Sequence, residues 1–138
     1  MILTNKAKYA TIAVIDMLEA GLQKPVSLSL IAARQNISLS FLEQIFAALK
    51  KAQIVKSVRG AGGGYLLAKK PQDIHIADII FAIDEPVKMT RCKGKTGCVA
   101  KKTRCKTHDL WQGLEQNIYN YLSAISISNI NDNPQLKL

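Results

Sequence analysis

Three cysteines and a histidine in the carboxy-terminal part of the chain have side chains that can bind a metal. They are spaced Cys92-x5-Cys98-x6-Cys105-x2-His108, so four potential ligands fall within 17 positions. The glycines and lysines between them are typical of a loop that lets such ligands converge on one centre. Thiolates and bridging sulfides would be strongly negative, and the eight basic side chains of residues 88–106, with no acidic ones, would offset that charge. The segment therefore predicts a metal or iron–sulfur site.

Two other interpretations of this segment stay open. Zinc also binds Cys3His sites, although the tight C-x2-C knuckles that zinc sites commonly use are absent here. A metalloprotein without any DNA-related role, such as a cluster carrier, would have the same ligands. The second histidine, His75, stands between two isoleucines far from the cysteines and is not expected to be a ligand. A disulfide framework is disfavoured because three cysteines cannot pair completely within one chain.

A glycine-rich run, Arg59-Gly60-Ala61-Gly62-Gly63-Gly64, lies between two strand-like segments, Ile54–Ser57 and Tyr65–Ala68. No Lys-Ser or Lys-Thr pair follows the glycines, and Tyr65 stands where a dinucleotide-binding pattern needs its last glycine. The run is therefore predicted to be the tip of a β-hairpin wing. Arg59 is placed to enter a narrow minor groove of DNA, where the negative potential is enhanced. The alternative is that Arg59 is a solvated turn residue with no role at DNA.

The elements before the hairpin follow from apolar spacing and from helix end signals. Three helices are predicted, and their bounds are Asn5 to about Gly21, Ser27 or Ser29 to about Gln35, and Ser40 to about Ala52. Asn5 can cap the first of these helices, and Gly21 suits its carboxy-terminal stop. Asn36-Ile37-Ser38 is predicted to be a tight turn before the third helix. Helix, helix, turn, helix and hairpin is the order of a winged helix-turn-helix, in which the helix after the turn lies in the DNA major groove.

The helix beginning at Ser40 is accordingly predicted to read DNA. Gln44 can pair with adenine through two hydrogen bonds, and Glu43 can accept one from N4 of cytosine. Ser38 and Ser40 can donate to phosphate or base, and Lys51 would lie toward the phosphates. An alternative for Ser40 and Glu43 is a capping box, in which their side chains satisfy backbone amides at the helix start. Because a polyanion repels a carboxylate that meets no donor, Glu43 is also a candidate discriminator between base pairs.

Beyond the hairpin the sequence predicts connecting elements and one long helix. Ile74 and Ile76 are expected to form a short third strand, and Ala77 to Glu85 a helix that stops before Pro86. From His108 to about Ile125 an apolar stripe predicts a helix that packs either on its own domain or on a second subunit. Its position beyond the loop favours the second subunit. The expected divisions are a DNA-binding region (1–70), a connecting strand and helix (71–87), a metal-binding loop (88–107), a dimerisation helix (108–126) and a flexible tail (127–138).

Composition narrows the class of protein. The 138 residues carry a formal net charge of +9, and residues 1–70 hold ten basic against three acidic side chains, which indicates a polyanionic partner such as DNA. A hydrophobic content of 48% predicts a folded chain. No apolar run approaches the roughly 18 residues that span a bilayer, and the start lacks a secretory signal pattern, so a cytoplasmic protein without a membrane partner is expected. No catalytic triad or H-E-x-x-H motif is present, so an enzyme is not expected.

These residues together resemble the IscR-type iron–sulfur cluster regulators, which are bacterial winged-helix repressors and activators. The resemblance covers residues 3 to about 125. The matching stretches are Leu3-Thr4, Lys8-Tyr9-Ala10, Ile37-Ser38-Leu39-Ser40, Leu42-Glu43-Gln44, Ser57-Val58-Arg59-Gly60, Gly62-Gly63-Gly64-Tyr65-Leu66-Leu67, Asp84-Glu85, Arg91-Cys92, Thr107-His108 and Leu110-Trp111. The combination is far more specific than any one of these motifs.

The resemblance implies a homodimer that is joined through the long helix and carries a 2Fe–2S cluster in each subunit. The implied cluster ligands are Cys92, Cys98, Cys105 and His108. The implied DNA contacts include Ser40, Glu43, Gln44 and Arg59, and the full predicted DNA-binding set adds Tyr9, Ser38, Lys51 and Gly60.

In this family, cluster occupancy changes which promoters are bound, and the glutamate matching Glu43 excludes one class of site until the cluster is present. Control of cluster-assembly genes, with the assembly machinery as cluster donor, is implied as well. The last cysteine gap, six residues, is one longer than the expected family pattern. Nitric-oxide-sensing relatives share the three cysteines without the same histidine context, so a nitric-oxide or redox sensor is the alternative within this fold.

Overall fold

The computed structural model describes residues 4–84 and 105–132. Within these ranges the elements are α1 (Asn5–Ala20), α2 (Leu28–Gln35), α3 (Leu39–Lys51), β1 (Val55–Val58), β2 (Gly64–Leu67), a 3-10 turn (Pro71–Asp73), α4 (Ile76–Ala82), α5 (His108–Ala124) and α6 (Ile127–Asp132). Cys92, Cys98 and all of the predicted metal-binding loop before residue 105 lie outside the described residues. The expected order of three helices, a hairpin and a later long helix is confirmed.

The core is built mainly by the apolar faces of α1, α3 and α4. Four residues of α3 at helical spacing are completely buried, namely Leu42, Ile45, Phe46 and Leu49. The same cluster includes Ala10, Ala13 and Val14 from α1 and Ile79, Ile80 and Ile83 at α4 and its end. Among the described helices none is long and apolar enough to cross a membrane.

The first helix begins one residue earlier than predicted and stops at the predicted glycine. Thr4 is the N-cap of α1 and Asn5 is its first helical residue, so Asn5 does not cap the helix. At the other end Gly21 adopts a φ of 102°, and its amide donates to the Leu18 carbonyl at 3.2 Å. The predicted glycine stop is therefore confirmed, because this backbone conformation is open to glycine and rare for other residues.

The hairpin is antiparallel, with Val55 opposite Leu67 and Val58 opposite Gly64. It is fixed to the segment between α1 and α2 by a bridge in which the amides and carbonyls of Val26 and Tyr65 exchange two hydrogen bonds of 2.9 Å. On its other side the Tyr65 ring meets Phe46 of α3 edge to face, with ring centroids 5.0 Å apart. The hairpin is thus held by both the first loop and the third helix.

The expected third strand at Ile74 and Ile76 is wrong. His75 instead makes a single antiparallel bridge with Ser126, and Ile76 already begins α4. The Ile76 amide donates to the Ile125 carbonyl and the Ile127 amide donates to the Ile74 carbonyl, each at 2.9 Å. This bridge joins the end of α5 to the core of the amino-terminal region.

The expectation of a flexible tail from residue 127 is wrong for its first six residues. Ile127–Asp132 form α6, and the Ile127 side chain is completely buried in the common core. Ser126 and Asn129 stabilise the start of this helix, because the Asn129 side chain accepts from both the amide and the hydroxyl of Ser126 at 2.9 and 2.8 Å. The Ser126 hydroxyl in turn accepts from the Asn129 amide at 3.2 Å.

Candidate DNA interface and metal-ligand residues

The start of α3 is organised by Ser38, not by Ser40. Ser38 is the N-cap, and its hydroxyl oxygen accepts from the Phe41 amide at 3.5 Å. The Ser38 and Ser40 hydroxyl oxygens lie 3.0 Å apart at the exposed end of the helix. Since Ser40 lies inside the helix, the capping box that was the alternative interpretation of Ser40 and Glu43 is not formed. The Glu43 carboxylate, one turn further along, is not used as a cap.

The predicted DNA-contact residues of α3 and the hairpin face solvent. The exposed residues are Ser38, Ser40, Glu43, Gln44, Lys51, Arg59 and Gly60. Lys51 ends α3, about 18 Å from its first turn at roughly 1.5 Å per residue, so it and Ser40 cannot contact the same base pairs. The arrangement places polar side chains at the amino-terminal end of α3, where a recognition helix contacts base edges.

Tyr9 occupies a different kind of position from the other predicted contacts. Its ring is half-buried and lies edge-on to Phe41 of α3, with centroids 5.8 Å apart and planes at 86°. Such a contact stabilises the packing of two aromatic side chains by up to about 1.5 kcal/mol beyond burial alone. The contact supports the first turn of α3 from α1. Direct contact of Tyr9 with DNA stays a prediction.

The hairpin tip presents Arg59 on a turn that glycine makes possible. Gly60 and Gly62 have φ values of 105° and 77°, in the region that favours glycine. The Gly63 amide closes the turn on the Gly60 carbonyl at 2.9 Å. Arg59 is exposed just before this turn. The geometry is that of a wing whose tip carries one guanidinium group away from the core.

A buried carboxylate joins α1 to α2, and the sequence reasoning did not foresee it. Asp16 of α1 is 4% exposed and accepts from Arg34 Nε at 3.0 Å, from Arg34 Nη2, and from Gln35 Nε2 at 2.8 Å. Burial by itself would raise the pKa of Asp16, but the hydrogen bonds from Arg34 and Gln35 and the Arg34 charge outweigh it and hold that pKa below its usual value. The one sequence feature that could have indicated this contact was an aspartate beside the apolar residues of α1.

Two of the four predicted metal ligands lie within the described residues, at the start of α5. His108 is the first residue of the helix and is 8% exposed, whereas Cys105 is exposed. The Cys105 sulfur lies 3.6 Å from the Thr107 hydroxyl oxygen, and the His108 amide donates to the Cys105 carbonyl at 3.1 Å.

Within residues 4–84 and 105–132 no three histidine, cysteine or acidic side chains converge on one point. The other two predicted ligands, Cys92 and Cys98, lie outside these ranges. A thiol and an imidazole three positions apart at a helix start are ligand types that suit an iron–sulfur cluster or zinc.

Comparison with known proteins decides the family. A model described as "Rrf2: Iron-dependent Transcriptional regulator" matches residues 3–133. The chain belongs to the Rrf2 family. One curated Rrf2 relative, the HTH-type transcriptional regulator IscR of Photorhabdus laumondii subsp. laumondii, is 46% identical over 136 residues, which cover 99% of this chain and 82% of the relative. The IscR of Aliivibrio salmonicida is 47% identical over 130 residues, covering 94% and 77%.

Solved structures give the same result for the fold. T. potens IscR superposes with a TM-score of 0.79 at 32% identity, covering 100% of this chain and 93% of that one. CymR, the global cysteine regulator of B. subtilis, gives a TM-score of 0.80 at 26% identity, with 96% and 97% covered. The predicted winged helix-turn-helix class is therefore confirmed. This Rrf2 chain is a DNA-binding transcription regulator and not an enzyme.

Proposed function

We propose that this Rrf2 regulator is a cytoplasmic homodimer whose choice of promoter depends on a bound 2Fe–2S cluster, and that it controls genes for cluster assembly. The observation that carries the proposal is the placement of Cys105 and His108 three residues apart at the start of α5. That helix is continuous from these ligands to the bridge with the DNA-binding core. The cluster-assembly machinery would supply the cluster.

Cys92, Cys98, Cys105 and His108 would hold the cluster. When bound, it would supply a redox centre whose presence follows the supply of iron and sulfide. The imidazole of His108 is largely buried at a helix start, so its orientation is restricted before any ligand arrives. Cys105 is exposed three positions before the first residue of the helix and can approach a centre from the solvent side. The basic side chains of residues 88–106 would offset the negative thiolates.

A path from these ligands to the DNA-binding region runs through α5. This helix ends at Ala124, and the residues that follow pair with the segment around His75: the Ile125 carbonyl accepts from the Ile76 amide and the Ile127 amide donates to the Ile74 carbonyl. Immediately afterwards α6 packs against α1 and the 3-10 turn, with Ile127 in the core. A change in the position of α5 at His108 would therefore act on elements that share one core with α3.

The dimer is supported by an unpartnered apolar stripe on α5. At about 100° per residue, Leu110, Leu114 and Tyr121 fall within about 40° of one another. They are exposed, and Leu110 is 62% exposed. His108 and Tyr119 lie on the opposite side, where the Tyr119 ring meets Phe81 of α4 at 5.6 Å between centroids. Since the helix uses one side for its own domain, the stripe is free to pair with the same stripe of a second copy.

Purified anaerobically, the full chain is expected to be coloured and to contain iron and acid-labile sulfide in equal amounts. Cys105→Ala and His108→Ala should reduce retained iron to below about a tenth of the wild-type amount, because each removes a ligand. The matched control is His75→Ala, which removes the other histidine from the start of α4 and should leave the iron content unchanged. Colourless protein holding one zinc per chain after the same purification would contradict the proposal.

Replacement of Glu43 by alanine should relax the choice of DNA site in the cluster-free form. The Glu43 carboxylate is exposed and is not used in capping, so it can repel some base pairs and accept from others. In a Cys105→Ala background, we expect the ratio of affinities between preferred and disfavoured promoter duplexes to narrow by about tenfold. Glu19→Ala, which removes an exposed glutamate from α1, serves as the control for charge. Equal ratios in the Glu43 variant and its parent would exclude this role.

A further inference from the structure

The helix before the turn, α2, is held by little apolar contact. α2 has eight residues, and Ile31 is the one that is fully buried. Leu28 and Ala32 add partly buried surface. Its start is capped by Ser27, whose hydroxyl accepts from the Leu30 amide at 3.3 Å. A single buried side chain can act as a pivot but does not fix the rotation of a helix about its axis.

The rotation of α2 is fixed by the Asp16 carboxylate. Arg34 and Gln35 are consecutive, so their side chains leave the helix about 100° apart. Both nevertheless reach the same carboxylate, and Arg34 does so through two nitrogens, one on each oxygen. A two-point contact between a guanidinium group and a carboxylate constrains direction as well as distance. A small rotation of the last turn of α2 would break at least one of the three hydrogen bonds.

This constraint lies directly next to the turn that leads to α3. Asn36 ends α2 in the left-handed conformation, with φ 53° and ψ 50°. The Ile37 amide then donates to the Ala32 carbonyl at 3.0 Å, and Ser38 caps the next helix. Only Asn36 and Ile37 separate the Asp16 contacts from the first predicted DNA-contact residue. The orientation of α2 at Arg34 is therefore transmitted through two residues to the exposed start of α3, whose opposite face is held by the core.

We propose that Asp16 is a positioning residue for DNA recognition, which holds Arg34 and Gln35 so that Ser38, Ser40 and Gln44 meet the base edges in the correct register. The proposal concerns the helix-turn-helix alone and is independent of the cluster. Asp16 itself is buried on the core side of α1 and has no path to DNA. Its influence would be indirect, through the angle between α2 and α3.

The test compares specific with non-specific DNA affinity in the full chain. One duplex is selected by the wild-type protein from a randomised library, and the other has the same length and a scrambled sequence. Asp16→Asn removes the charge at constant size, and Gln35→Met is a milder second variant that removes one hydrogen bond. Ile83→Val, a small deletion at the end of α4, controls for lost stability without touching α2. All affinities are measured well below the melting temperatures of the variants.

Asp16→Asn is expected to lower affinity for the selected duplex by about tenfold or more, with little change for the scrambled duplex, because base contacts and not phosphate contacts are misplaced. Gln35→Met should show a smaller loss in the same direction, and Ile83→Val none. A loss in Asp16→Asn that is no greater than in Ile83→Val, or that is equal for both duplexes, would overturn the proposal.

Arg34→Lys distinguishes positioning from direct contact with phosphate. Lysine keeps the positive charge but cannot form the two parallel bonds that guanidinium makes. We expect this variant to lose discrimination as Asp16→Asn does. The contrary result has two parts: Arg34→Lys and Asp16→Asn keep wild-type discrimination, and Arg34→Ala only lowers the salt dependence of affinity by about one phosphate contact. In that case Arg34 binds the DNA backbone, and the proposal fails.

Discussion

Substitution of Gly64 by alanine is expected to lower the free energy of unfolding by about 3 kcal/mol, through overpacking and lost hydrogen bonds. A Cβ at this position would lie 2.4 Å from the Val26 carbonyl oxygen and 2.9 Å from the Ser27 amide nitrogen. These atoms are backbone, so they cannot rotate away. To relieve this overlap, Gly64, the first residue of β2, would have to move away from Val26. That movement would break the two hydrogen bonds between Val26 and Tyr65.

The matched control for this change is Gly62→Ala at the wing tip. Gly62 has a φ of 77°, and nothing lies within 4 Å of the position its Cβ would take. Its replacement adds only backbone strain, which we expect to lower the free energy of unfolding by about 1 kcal/mol. Chemical denaturation of the two variants and the wild type measures the difference directly. Equal destabilisation by the two substitutions would show that the contact with Val26 is not what limits Gly64.

The helices that the sequence predicted well are those whose apolar residues make dense contacts. In α3, Leu42, Ile45, Phe46 and Leu49 repeat at helical spacing and are all buried, so one pattern determines both the helix and its inner face. The hairpin was equally predictable, because a glycine-rich run between two strand-like apolar segments is a local signal for a turn. Once α3 and the hairpin are predicted, the residues of the candidate DNA interface are those on the exposed side of these two elements.

The features that escaped prediction depend on contacts between distant segments. Residues 127–132 are polar apart from two isoleucines and resemble a tail, yet α6 forms because Ile127 finds a place in a core made by other elements. The predicted third strand is absent for the same reason. Among the described residues His75 pairs only with Ser126, a residue far away in the sequence, and the pairing extends over a single residue. Local pattern contains no information on such pairing.

The helix cap shows a different limit. Ser38 and Ser40 are both suitable caps by type, and only Ser40 has a glutamate three positions later. The structure uses Ser38 because the chain leaves the left-handed turn at Asn36 and starts the helix at once. That choice leaves the Glu43 carboxylate outside the cap, with a direct consequence for its role at DNA. The Asp16 network was missed for the reason that holds for α6, since its partners lie 18 and 19 positions away.

Introducing glutamate at both Leu110 and Leu114 is expected to convert the proposed dimer to a monomer at micromolar concentration. Both side chains lie on the exposed stripe of α5, and in a symmetric pair each new carboxylate would be buried near its copy in the partner. Burial of unpaired like charges is unfavourable enough to prevent association. Sedimentation or light scattering gives the mass directly. The control for an added carboxylate on α5 is a single glutamate at Gln112, which lies about 160° or more around the helix from the stripe and should leave the dimer intact.

The same variant should lose most of its affinity for a promoter with two half-sites. Linking two recognition helices in one dimer raises avidity by a factor of about 100 or more over a single helix without any new contact. We therefore expect the monomer to bind a two-half-site duplex about as weakly as a duplex with one half-site, whereas the wild type prefers the former by about 100-fold. Retained preference in a chain shown to be monomeric, or a dimeric mass for the double variant, would place the subunit interface elsewhere than on this stripe.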